Sequence, residues 1–226
     1  MNVLSIDWDY FQDIDKDIVH SFPKGLDKRG VESDIDWKAA YQNDARLFQI
    51  KLLQSEYDAL FTLLSEQRTD LPFMIAESHA DIYRFIYDHT ASDDKVILTN
   101  IDLHHDLFND NVYLDCGNWI GKLIQDDMIL RKKLRWIANP ISLSVYGLDR
   151  TEGELNKVMK LWAVSGGINA MKHPEYDLIF LTRSDQWSAP HLDICFKRLS
   201  DYVRSRFTEL CFCKNSVRDI TQIRRI

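Results

Sequence analysis

Cysteine is scarce in this chain, with four residues in 226 (Cys116, Cys195, Cys211, Cys213) and no C-x-x-C pair. That excludes a disulfide scaffold and a zinc ribbon, and it fits reduced thiols in a cytoplasmic protein. Long apolar runs are also missing, and none approaches the roughly 20 residues that a bilayer span requires. No membrane partner is expected. The N-terminus enters Val3-Leu4-Ser5-Ile6 directly, without the basic stretch and apolar core of a secretory signal. Positive charge is not in excess: the net charge is −7, which disfavours a nucleic-acid partner. The densest basic cluster, Arg131-Lys132-Lys133 with Arg135, is interleaved with Leu130, Leu134 and Trp136 and reads as the solvated side of a helix. With no internal repeat, low-complexity stretch or linker, residues 1–226 read as a single domain.

What is present is an alternation of short apolar runs and helical patterns. Strands are expected at Val3–Ile6, Pro72–Ala76, Val96–Ile101, Arg135–Ala138, Ile141–Tyr146, Asp177–Thr182 and Glu209–Cys213. Helices are expected from Trp37, capped by Asp34 or Asp36, to about Gln67, and from Ile82 to His89. Others should start at Asn118-Trp119, run from Glu152 to Trp162, and span His191–Phe207. Gln12–Ser33, with Pro23, Gly25 and Gly30, reads as a loop or lid. This order implies an α/β fold: three layers, α/β/α, around a mostly parallel sheet. Its ligand site belongs beyond the carboxyl ends of the strands.

Aspartate and histidine concentrate at that edge. Asp102-Leu103-His104-His105-Asp106 follows one strand, Asp7-Trp8-Asp9 another, and His79 a third. Alternate residues of an extended chain share a face, so Asp102, His104 and Asp106 are expected to converge. Taken alone, Asp7 and Asp9 are compatible with a polar strand end, and His79 with a structural histidine. Together, buried carboxylates and imidazoles need a counter-ion. Four Asp and two His (Asp7, Asp9, His79, Asp102, His104, Asp106) form an oxygen-rich set suited to Mn²⁺, Fe²⁺ or Zn²⁺ in a catalytic site. Four carboxylates can offset two dications, whose shared water is acidic enough to attack an unreactive carbon centre.

These motifs resemble those of the arginase/deacetylase (ureohydrolase) superfamily, which uses D-x-H-x-D, a separate His and D-x-D. Here the D-x-D strand comes first, and the permuted order resembles the UPF0489 family. Its patterns are similar to Glu77-Ser78-His79, Asp102–Asp106, Asn118-Trp119, Asp7-Trp8-Asp9-Tyr10-Phe11 and Arg183-Ser184. Some bacterial relatives are peptide arginases, which convert arginine side chains of ribosomally made precursor peptides to ornithine and release urea. The resemblance implies that activity, two Mn²⁺ ions, and an arginine-containing precursor peptide as partner. It also implies His79, Asp102, Asp106 and Asp7 on one metal, and Asp102, His104, Asp7 and Asp9 on the other, with Asp102 and Asp7 bridging. Asp106 would orient the attacking water. The guanidinium needs an acid, for which Asp185 is favoured and Glu77 is the alternative. His105 is the candidate proton shuttle, while Asn118, Trp119 and Arg183 are candidate substrate contacts. Three other functions remain open: a small-molecule ureohydrolase, a zinc deacetylase-like amidohydrolase, and a metal-stabilised peptide-binding module. Nothing in the sequence fixes the oligomeric state.

Overall fold

The computed structural model describes residues 1–25, 27–91, 94–107, 113–145, 162–211 and 217–218. The main sheet contains β1 (Asn2–Asp7), β4 (Pro72–Ala76), β5 (Ile97–Asp102), β6 (Arg135–Ala138), β7 (Ala163–Val164), β8 (Leu178–Thr182) and β9 (Thr208–Cys211). Its order is β7-β6-β5-β1-β8-β4-β9, and every pairing in it is parallel. A separate two-stranded ribbon pairs β2 (Gln12–Asp13) with β3 (Lys51–Leu52). Parallel strands covered on both sides read as near-continuous apolar runs, and here alternate residues feed two cores. Leu4, Ile6, Phe73, Ile75, Ile179 and Leu181 face α2 (Val31–Asn43), α3 (Gln54–Ser65) and α6 (Asp193–Arg206). Val3, Leu98, Trp136 and Phe180 face α4 (Asp81–His89) and α5 (Trp119–Gln125). The three-layer α/β/α fold is as expected. No helix among the described residues is long and apolar enough to cross a membrane.

Several local expectations are corrected. The single helix expected over Trp37–Gln67 is two helices, separated by a 3-10 turn (Ala45–Gln49) and by β3. The break is at Asp44, whose carboxylate accepts the Arg46 N–H at 3.0 Å and starts the new turn as an N-cap. The first of these helices begins at Val31, after Gly30 at φ +53°, rather than at Asp34 or Asp36. The Gln12–Ser33 loop also holds β2 and a one-turn helix, α1 (Lys16–Val19). The strand expected from Ile141 is not formed: Ser142–Val145 is a helical turn, fixed by the Ser142 hydroxyl on the Leu103 carbonyl at 2.7 Å, and Tyr146 lies outside the described residues. Arg131–Lys133 forms a solvated 3-10 turn before β6, and α5 ends at Gln125, short of it. The helix expected over Glu152–Trp162 lies outside the described residues except for Trp162.

The loop after β8 is held from within by a buried charge network. Arg183 donates to Asp185 (2.6 Å) and Asp193 (3.1 Å). Arg218 donates from Nε and Nη2 to both oxygens of Asp193 (2.8 and 2.7 Å), and to the carbonyls of Asp185 (2.8 Å) and Ser188 (2.7 Å). Replacing Arg218 with Ala leaves Asp193 short of a buried partner, so the variant should lose about 3–5 kcal/mol of stability in a urea titration. A change within about 0.5 kcal/mol, the scale of a surface substitution, would contradict this account of the network.

Candidate metal centre

The sheet register brings the acids level. Ile6 pairs with Ile101, so the next residues, Asp7 and Asp102, end adjacent strands side by side. Strand alternation also sets Ser5 beneath Asp7 and Asn100 beneath Asp102 on the same face. Beyond these two aspartates the chain no longer alternates. Trp8–Phe11 is a 3-10 turn in which Asp9 N–H donates to Asp7 Oδ1 at 3.3 Å. After Asp102, the His104 N–H turns back to Asp102 Oδ1 at 2.7 Å, and Asp106 takes φ +52°. The ligands converge, but through tight turns rather than through the pleat that the spacing suggested.

Two clusters result. In the first, His79 Nδ1 lies 3.0 Å from Asp7 Oδ2, 3.2 Å from Asp102 Oδ2 and 3.1 Å from Asp106 Oδ2. That nitrogen is buried without a hydrogen-bond partner. Its other ring nitrogen, Nε2, is 2.6 Å from the Ser5 hydroxyl. A donated Nε2–H leaves the Nδ1 lone pair facing three carboxylate oxygens, the second-sphere device that presents a histidine to a metal. Bonds of about 2.1 Å set neighbouring ligands of a cation about 3 Å apart, so the spacing fits. In the second cluster His104 Nδ1 is 2.7 Å from Asp9 Oδ2 and 3.8 Å from Asp102 Oδ1, and Asp9 Oδ2 is buried without a hydrogen bond. Asp7, His79 and Asp102 form one potential cation site and Asp9, Asp102 and His104 another, with Asp102 common to both. Asp7 joins only the first, so the expected second bridge is not seen.

Comparison with family models, curated proteins and solved structures returned no match.

The remaining expected residues fall into place around these clusters. Trp119, fully buried, donates its indole N–H to Asp106 Oδ2 at 2.5 Å and packs on His79 with ring centroids 4.8 Å apart. Asn118 is buried and ties the preceding loop, bonding the Asp115 N–H and the Tyr113 carbonyl. Both are buried, with side-chain polar groups engaged within the chain. His105 is turned away from the ligands: its Nδ1 accepts the Leu107 N–H at 3.0 Å, and its ring packs edge-on against Trp136. Burial, then the charge of His104, pulls its pKa down to about 4. Asp185 is fully buried, with Oδ1 bound to Arg183 and Oδ2 to the Gly30 N–H at 2.9 Å. The acid favoured for a substrate guanidinium already holds one from its own chain, and Arg183 is equally committed. Glu77 is half-buried, and burial pushes its carboxyl up. Sequence reasoning missed four supports: Ser5; Asn100, which donates to Asp102 Oδ2 at 3.1 Å; Ser184, at φ +48°, whose hydroxyl donates to Asp7 Oδ2; and Trp187, whose ring lies 4.9 Å from His104. For Ser5 and Asn100 there was a signal, a polar residue two before each strand-end aspartate in an otherwise apolar run.

Without a cation this much buried negative charge holds protons instead. Burial raises the Asp7, Asp9 and Asp102 carboxyls, and mutual repulsion raises them further. Burial alone would lower both imidazoles, but the surrounding carboxylates prevail: His79 rises well above its ordinary value and His104 to about 10. All five groups favour the protonated form in the folded chain. Their contribution to stability is therefore complete below the unfolded pKa and is lost as pH rises through the folded one. For His104 that window runs from 6.5 to about 10. A bound cation displaces these protons, so its affinity climbs with pH. The melting temperature of metal-free protein should fall across that window, and the increment given by Mn²⁺ should grow, as read by scanning fluorimetry; an increment that shrinks would refute the assignment. Ser5→Ala should weaken Mn²⁺ binding about 10–100-fold, measured by calorimetry.

Proposed function

We propose that the chain is a dinuclear-metal hydrolase that converts arginine side chains of a ribosomally synthesised precursor peptide to ornithine, releasing urea. One observation carries the two-metal part: Asp102 offers Oδ2 to the His79 cluster and Oδ1 to the His104 cluster, both buried. The substrate rests on the resemblance of the motif set to the peptide arginases. Asp7, His79, Asp102 and Asp106 would hold one cation and Asp9, Asp102 and His104 the other. Mn²⁺ is the favoured ion, with Fe²⁺ or Zn²⁺ as alternatives. Two bound dications supply positive charge and a water acidified toward neutrality.

The chain's own residues provide the rest. Ser5 and Asn100 orient His79 and Asp102 from below, and Ser184 fixes Asp7. Trp119 holds Asp106 by Oδ2, and Asp106 Oδ1 accepts no hydrogen bond among the described residues. That oxygen is the acceptor for a proton of the attacking water. Trp187 packs against His104. In the net reaction the guanidinium carbon gains the water oxygen and loses the side-chain nitrogen. Urea leaves, and both protons of the water finish on the departing side-chain nitrogen, which becomes the ornithine ammonium.

Purified protein should carry close to two metal ions per chain by elemental analysis. With Mn²⁺ and an arginine-containing precursor peptide, each conversion should lower the peptide mass by one CH2N2 unit and release one urea. Asp102→Asn should cost more than the about 10–100-fold typical of losing an outer-sphere partner, while circular dichroism stays unchanged. One metal per chain and no mass change over a panel of arginine-rich peptides would overturn the proposal. Retained peptide binding without turnover would instead favour a binding module.

A further inference from the structure

One carboxylate close to the centre takes no part in holding it. Asp27 lies in the segment leading to α2, which is anchored at both Arg29 and Gly30. Arg29 grips Asp81 with two bonds (2.9 and 3.2 Å), and the Gly30 N–H binds Asp185. Asp27 Oδ2 accepts the hydroxyl of Ser78, the residue next to His79. The Asp27 side chain is 13% exposed, and its Oδ1 accepts no hydrogen bond among the described residues. The neighbouring Arg29 guanidinium, 3.7 Å away, is beyond hydrogen-bond reach and already engaged by Asp81. The location is therefore largely shielded from water, acidic, and compatible with a guanidinium beside it. Burial pushes the Asp27 carboxyl up, against the Ser78 hydrogen bond and the Arg29 charge, which hold it down.

Charge balance then selects it. Asp7, Asp9, Asp102 and Asp106 match two dications, which leaves nothing to offset a cationic side chain. Asp185 is spent on Arg183 and Gly30. Glu77 is half-buried, and no hydrogen bond among the described residues fixes its carboxylate, whereas Ser78 fixes that of Asp27. We propose that Asp27 is the specificity-determining acid of this site, receiving the guanidinium of an arginine side chain on Oδ1 while Ser78 holds Oδ2. This rests on the reading of the site as an arginine-side-chain hydrolase. A charge-assisted hydrogen bond in such surroundings distinguishes a guanidinium from a neutral ureido group.

The test uses Mn²⁺-loaded full-length protein with methylguanidinium and its neutral counterpart N-methylurea as probes, titrated by calorimetry. Wild-type protein should prefer methylguanidinium by at least about tenfold, the scale of one charge-assisted bond. Asp27→Asn should abolish that preference with manganese content unchanged, and should raise KM for an arginine peptide by about tenfold with a smaller change in kcat. Three results would each overturn the inference: no preference in the wild type, a preference that survives Asp27→Asn, or one lost instead in Glu77→Gln. Urea release is scored separately, so an intact preference without any turnover would sink the hydrolase reading and leave Asp27 as the guanidinium acceptor.

Discussion

The cost of burying carboxylates governs this molecule. Asp7, Asp9, Asp102 and Asp106 are each no more than 3% exposed and lie around two imidazoles. In an apolar interior such charge is tolerated only against an equal and opposite one. The backbone is arranged to hold that charge together, with the strand ends level, turns folding back, and hydroxyl and amide groups beneath each ligand. A fold with no use for a cation would gain stability by replacing these acids with apolar residues. Here, instead, neighbouring hydrogen bonds on Asp7, Asp102 and Asp106 keep each carboxylate in one orientation.

The position of the centre follows from topology. β1 lies mid-sheet between β5 and β8, with chain crossing to either side. At such a switch point the connections diverge and open a crevice at the carboxyl edge. The loop after β8 closes one wall of that crevice through Ser184 and Trp187, and the Arg183–Asp193–Arg218 network holds the loop from behind. The segment before α2 closes another, pinned through Gly30 to Asp185 and through Asp27 to Ser78.

The sequence made the layer order, the parallel sheet and the gathering of Asp7, Asp9, His79, Asp102, His104 and Asp106 at one edge legible, because all three follow from periodicity and from where carboxylates are tolerated. Asp102 does lie in both clusters. What stayed hidden depends on torsions and on distant partners. The left-handed turns at Asp106 and Ser184 carry no glycine to announce them. His105 stands among ligands in sequence, yet it belongs to the wall against Trp136. Asp185 looked available because its partner Arg183 is two residues away and its other donor, Gly30, lies far off in the chain. The helical pattern from Trp37 ran unbroken past Asp44 because one capping aspartate does not disturb apolar spacing. Arg218 could not have been placed at all without the tertiary structure.

The pairing register also bears on how the molecule comes into being. Asn2 pairs with Ile97 and Val3 with Leu178, so β1 has no partner in this sheet until much later stretches exist. Pairings this distant in sequence carry a large loop-closure cost and form slowly. Asp7 and Asp9 therefore come together with His79, Asp102, His104 and Asp106 only as the sheet closes around β1. On the proposed reading, a cation available at that moment would act on the final step of folding, and metal supply would bear on yield as well as on chemistry.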